Sequence, residues 1–229
     1  MIYAEQVQDL MNLDTDGVAV VPDYVQRPQL SFLQQEILER GNIAWRDAHE
    51  KYTNARGLNI VQNHLSYALR TTAGDQSVFT RLPRLRDMTI HITNDVQGLA
   101  ELSPTLADWR PDEVVLHDYD DPEIGLSRHR DHSCYTGIIA ILAVYGTCDF
   151  VSHHPKTQQA TTREINSGDL VLLRAPGLIN TDEEVRPDHA VQNLKTMHRL
   201  SATWRQDRQT GQQPLAHTWY DNWRSQTNE

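Results

Sequence analysis

Apolar residues along this chain fall into short groups whose period changes about halfway. In the first half, Gly17-Val-Ala-Val-Val21 before Pro22-Asp23 predicts a strand that closes at a turn. Leu30, Leu33, Ile37 and Leu38 recur at helical spacing between Pro28 and Arg40, with Gly41 as the stop. A second helix is expected from Leu85 into the Leu99–Leu102 region, ending near Pro104. Residues 42–80 are mixed and polar, and no element is assigned to them. From Asp112 the runs become strand-like: Glu113–Tyr119, Gly137–Val144, Cys148–Ser152, Thr161–Ile165, Leu170–Arg174 and His198–Trp204. Turn residues such as Asp120-Asp121-Pro122, Tyr145-Gly146 and Ser167-Gly168-Asp169 separate them. Strands at this spacing predict a sandwich or barrel. The expected organisation is one domain over 1–229, with a helix-rich support (1–111), a β-rich half (112–206) and a C-terminal segment (207–229).

Charge narrows the partners. The chain carries 21 Lys and Arg against 31 Asp and Glu, a net charge of −10. It has no basic run of the kind that grips a phosphate backbone, so a nucleic-acid duplex is disfavoured. Its two cysteines, Cys134 and Cys148, are too few for a disulfide framework and are expected as small buried residues. Neither a signal-peptide pattern nor a run of transmembrane length is seen, so a cytoplasmic protein is expected.

The triplet His129-Arg130-Asp131 fits two unrelated chemistries. A protein-kinase catalytic loop would require Asn where Thr136 stands, a glycine-rich loop upstream and an Asp-Phe-Gly downstream. All three are missing, since Asp149-Phe150 is followed by Val151. The alternative is a metal site. On a strand, residues two apart point to one face, so His129 and Asp131 can meet one cation. Two imidazoles and one carboxylate that leave the opposite face open form the facial triad of non-haem iron oxygenases. His189 is the candidate third ligand, in competition with His153, His154 and His198.

Two more strands carry polar faces. In Arg199-Leu-Ser-Ala-Thr-Trp-Arg205, one face holds Arg199, Ser201, Thr203 and Arg205, and the other Leu200, Ala202 and Trp204. The apolar face suits a helical layer. The polar face either lies in water or lines a barrel, where a guanidinium needs an anionic partner such as a dicarboxylate. In Val115-Leu-His117-Asp-Tyr119, Val115, His117 and Tyr119 share a face, and Tyr119 is placed to reach a bound carboxylate.

His129-x-Asp131, then His189, then Arg199-x-Ser201-x-Thr203-x-Arg205 resembles the Fe(II)/2-oxoglutarate-dependent dioxygenase superfamily, with AlkB-like features in the closing strand. Asn more often stands at the position of Ser201 in that branch, and Tyr119 is displaced by one residue from its Tyr. The resemblance covers the last half of the chain and the opening strand at Gly17. It implies an α+β, mostly β fold: a double-stranded β-helix (jelly-roll) with N-terminal helices packed on one sheet. It implies Fe(II) on His129, Asp131 and His189, and 2-oxoglutarate held by Arg199 with Tyr119, Ser201 and His117 assisting. With O₂ as the other cosubstrate, 2-oxoglutarate is decarboxylated to succinate while substrate is oxidised. Halogenases of the superfamily have Gly or Ala at the position of Asp131, so its carboxylate implies hydroxylation or a related oxidation.

The expected substrate is a small molecule, such as an amino acid, peptide or specialised metabolite. AlkB-like oxidative demethylation of a nucleobase or protein is the alternative, and a non-catalytic, cupin-like metal-binding module is another. Arg205 is the candidate for a substrate carboxylate, whereas Arg128 and Arg130 should face away from the ligand pair. Trp219 and Trp223 in the C-terminal segment either cap the barrel near substrate or dock on the core as a helical turn.

Overall fold

A computed structural model of the chain describes residues 2–40, 43–70 and 79–207. Three α-helices lie in its first half: α1 Ala4–Met11, α2 Arg27–Gln35 and α3 Pro83–Gln97. α2 continues as a π-helical turn over Glu36–Arg40. Proline stands in the first turn of both α2 and α3, where no backbone N–H is missed. α3 buries Leu85, Thr89, Ile92 and Val96, one stripe of a 3.6-residue period. The buried Glu36 carboxylate accepts the backbone N–H groups of Arg84 and Leu85, all at 3.0 Å. It thereby caps α3 and places negative charge at that helix's positive end.

The strands before α3 are β1 Val18–Val21, β2 Arg46–Asp47, β3 Glu50–Thr53, β4 Asn59–Gln62 and β5 His64–Arg70. After it come β6 Glu113–Tyr119, β7 Ile124–His129, β8 Ile138–Tyr145, β9 Cys148–His153, β10 Ala160–Ile165, β11 Leu170–Arg174, β12 Asp188–Gln192 and β13 Arg199–Arg205. They form two sheets. The seven-stranded one runs β1-β11-β8-β13-β6-β5-β2, and the six-stranded one β10-β9-β12-β7-β4-β3. All the pairings are antiparallel.

Alternation along the central strands builds two cores. In β8, Ile138, Ala140, Leu142 and Val144 join the cluster shared with the three helices, and Ile139, Ile141 and Ala143 face the smaller sheet. β13 turns Leu200, Ala202 and Trp204 to the helices, as the sequence predicts, and the Trp204 indole N–H donates to Thr89 of α3 at 2.8 Å. Helices therefore cover one face of the larger sheet, and its other face packs on the smaller sheet.

Several expectations need correction. Residues 43–70 hold β2 to β5, so the first half is not simply helical support: β5 extends the larger sheet beside β6, and β4 meets β7. α1, β7 and β12 were not expected, and the helix expected to run past Leu99 stops at Gln97. β7 and β12 escape notice because polar residues interrupt their apolar pattern: Ser127, Arg128 and His129 in the first, Asp188 and His189 in the second. Gly41, expected to stop α2, lies outside the described residues. No described helix is long and apolar enough to cross a membrane.

Candidate metal and dicarboxylate site

β7 and β12 pair so that His129 lies directly opposite His189. Their rings are 4.2 Å apart between centroids, and Phe150 from β9 stacks on His189 at 5.5 Å. β7 stops at His129, so Asp131 projects from the segment just beyond it rather than from the strand itself. One ligand atom from each of His129, Asp131 and His189 lies within 4.8 Å of the others, the one such group of three among the described residues. The competing histidines are engaged elsewhere. His154 Nδ1 accepts the N–H groups of Lys156 and Thr157, His198 lies 3.6 Å from Asp118, and His153 contacts the Gln158 carbonyl at 3.4 Å.

Backbone carbonyls fix both imidazoles. Nδ1 of His129 faces the Ser127 carbonyl at 3.0 Å, and Nδ1 of His189 faces that of Pro187 at 3.4 Å. A carbonyl only accepts, so Nδ1 carries the proton and the Nε2 lone pair is left for a ligand. Burial holds both rings below the ordinary histidine range, His189 down to about 3. They are neutral imidazoles, the form that binds a metal. Burial works against the Asp131 carboxylate, but the charge and hydrogen bond of Arg205 oppose it, and its pKa lies below the ordinary value. Arg205 donates to one Asp131 oxygen at 2.9 Å, while the other oxygen is buried without a hydrogen-bond partner, 3.6 Å from His189 Nε2.

Across from this group, the larger sheet presents a second polar set. Register pairs Arg199 with Tyr119 and Ser201 with His117. Arg199 is 1% exposed, and none of its three guanidinium nitrogens has a hydrogen-bond partner among the described residues. Its guanidinium lies 5.3 Å from the Tyr119 ring centre. The Ser201 hydroxyl and His117 Nδ1 are also buried without partners. Gly125 permits this packing, because a Cβ there would sit 2.6 Å from Tyr119 Cδ1. A buried guanidinium without an anion is costly. These orphaned groups fit an acceptor-rich carboxylate, and the orphaned Asp131 oxygen with two free imidazole lone pairs fits a divalent cation.

His64 on β5 was missed by sequence reasoning. It pairs with Tyr119 in register, and its ring lies 4.9 Å from His117 and 5.2 Å from Tyr119. Burial lowers it to about 4. The signal was present in His64-Leu-Ser-Tyr-Ala-Leu-Arg70, which alternates as β13 does. Arg128 and Arg130 point away from the metal group and grip Asp188. Arg205, expected to meet a substrate carboxylate, is turned to Glu113 and Asp131 of the chain itself. Trp219 and Trp223 lie outside the described residues.

No family model and no curated protein matches the sequence. Solved structures do. The chain is similar to an oxidoreductase of the 2OG-Fe(II) oxygenase family from Burkholderia pseudomallei, at 13% identity and TM-score 0.56, over 90% of this chain and 89% of that one. It is similar to SnoK, a non-heme alpha-ketoglutarate dependent carbocyclase from nogalamycin biosynthesis, at 12% identity and TM-score 0.57, over 89% and 85%. OsALKBH1 matches at 14% identity and TM-score 0.56, over 83% and 98%. The fold is therefore that of the 2-oxoglutarate- and Fe(II)-dependent oxygenases.

Proposed function

We propose that this protein is an Fe(II)- and 2-oxoglutarate-dependent dioxygenase that hydroxylates a small molecule. The observation that carries the reading is Arg199, a buried guanidinium without an acceptor among the described residues, on the sheet opposite a His-Asp-His group. In this reading β6 to β13 are the eight strands of a double-stranded β-helix. Its support is their distribution: β6, β8, β11 and β13 go to the larger sheet, and β7, β9, β10 and β12 to the smaller.

His129, Asp131 and His189 would hold Fe(II), and Arg199, with Tyr119, Ser201 and His117, would hold the distal carboxylate of 2-oxoglutarate. Bound together with O₂, iron and 2-oxoglutarate supply the oxidising chemistry and release succinate and CO₂. The chain's part is to orient and exclude. The two carbonyl-fixed histidines present Nε2, and Arg205 occupies one Asp131 oxygen so that the other is free. Phe150 keeps one side of His189 dry. A non-catalytic cupin-like module would account for the three ligands but would leave Arg199 unexplained.

The test is an anaerobic titration of metal-free protein with Fe(II) and 2-oxoglutarate, followed by exposure to O₂. A visible charge-transfer band, then succinate even without substrate, is the expected result. Folded, iron-binding protein that gives neither band nor succinate overturns the cosubstrate assignment.

A further inference from the structure

A line of alternating charges runs behind the metal group. Register places Arg205 of β13 opposite Glu113 of β6, and Glu113 opposite Arg70 of β5. The side chains follow the backbone: Arg70 donates to Glu113 Oε2 at 2.7 Å, and Arg205 donates to Glu113 Oε1 at 3.2 Å. Arg205 then reaches Asp131 Oδ1 at 2.9 Å. The Tyr135 hydroxyl donates to Glu113 Oε1 at 2.8 Å, and its ring lies 5.1 Å from the Arg205 guanidinium. Glu113 is buried, and Arg70 has a side chain 28% exposed.

We propose that Glu113 is a positioning residue for the metal centre, acting on Asp131 through Arg205. The proposal rests on the reading of His129, Asp131 and His189 as a divalent metal site. A guanidinium beside a metal-binding carboxylate has two effects. It fixes one oxygen and leaves the other as the ligand atom, which favours one geometry. It also sets a positive charge near a dication, which weakens binding. Glu113 preserves the first effect and offsets the second. It draws Arg205 into place from behind and balances its charge, so that Arg70, Glu113, Arg205 and Asp131 sum to zero. Glu113→Gln keeps the shape but leaves two guanidiniums to one carboxylate. Arg205 then binds Asp131 alone, and the row gains a positive charge beside the cation.

The test reads metal affinity, not turnover. Metal-free wild-type and Glu113→Gln proteins are titrated with Co(II) by visible absorption, without cosubstrate. The variant is expected to bind roughly 10–100-fold more weakly, the usual range for groups that support a metal ligand. In an Arg205→Met background the same Glu113→Gln change should shift affinity by less than about threefold, because Glu113 then keeps only Arg70 and has lost the guanidinium through which it reaches Asp131. Equal affinity of Glu113→Gln and wild type overturns the proposal. So does an undiminished loss in the Arg205→Met background, which would mean that Glu113 acts otherwise. If Glu113→Gln does not fold, Arg70→Met carries the test. The row sheds a positive charge, so Co(II) should bind severalfold more tightly, and an unchanged or weaker affinity overturns the idea. Wild-type protein that binds no Co(II) defeats the metal reading itself, a separate outcome.

Discussion

Arg199 sets stability against function at a single position. Its guanidinium is buried with no acceptor among the described residues, so in the free protein it costs stability that a carboxylate would restore. Arg199→Met keeps most of the stem and removes the charge. Its ligand-free melting temperature is expected to equal or exceed that of wild type, while the stabilisation by added 2-oxoglutarate disappears. A thermal-shift series with and without 2-oxoglutarate reads both effects, and a saturating ligand at a hundred times its Kd gives wild type about 2.7 kcal/mol. A variant that still responds to 2-oxoglutarate as wild type does would remove Arg199 from the binding site. That His129, Asp131 and His189 come together and that Arg199 turns inward was legible because each stands in a pattern with a chemical meaning: a His and an Asp two residues apart, and a charged face on an otherwise apolar strand. Glu113 was not legible. Nothing in the string Asp112-Glu113-Val114 says that the carboxylate is buried between two arginines, because those partners are 43 and 92 residues away in the chain. His64 had a readable strand around it, but it lay in a stretch whose overall polarity concealed the alternation.

At the scale of elements, the strands bearing the two histidines are joined by Asp188. Its side chain is 0% exposed and accepts from Arg56 at 2.7 and 3.0 Å, from Arg128 at 3.0 and 2.8 Å and from Arg130 at 2.7 Å. Arg56 comes from the turn between β3 and β4, and Arg128 and Arg130 flank His129, so one carboxylate ties the β3–β4 hairpin, β7 and β12 together. Burial alone would raise its pKa, but hydrogen bonds from Arg56 and Arg128, with the charge of Arg130, drive it well below the ordinary range. Asp188→Asn leaves the partly exposed Arg56 and Arg128, and Arg130 with its remaining partner Glu184, around a neutral amide, and a loss of about 1–3 kcal/mol is expected. The pH dependence has a definite sign. A depressed folded-state pKa contributes stability that is complete above the unfolded value of about 3.9 and is lost as pH falls through the folded one. The gap between wild type and Asp188→Asn in urea unfolding should thus be widest above pH 5 and close at lower pH. A gap constant from pH 7 down to the acid limit would mean that the clamp acts through shape and not charge. The sequence hid this device for the reason it hid β12: Asp188 looks like one more polar residue before His189, and its partners come from two distant segments.

Over the whole molecule, the two halves of the candidate site belong to different sheets. The His-Asp-His group is carried by the smaller sheet and the segment after β7, and the Arg199 set by the larger one. A dicarboxylate that reaches Arg199 while its other end meets the metal therefore links the sheets across their shared core. Binding of metal and of 2-oxoglutarate should then be coupled, because each completes half of a bridge. By linkage the factor must be the same in both directions. If Mn(II) tightens 2-oxoglutarate binding tenfold, 2-oxoglutarate must tighten Mn(II) tenfold, a coupling of about 1.4 kcal/mol. Anaerobic calorimetry with Mn(II) measures both legs of the cycle without turnover. Glutarate, which keeps both carboxylates but lacks the 2-oxo group, should reach Arg199 and show a much smaller coupling. Equal affinity for 2-oxoglutarate with and without metal would mean that the Arg199 set and the metal group are two independent sites, facing one core without sharing a ligand.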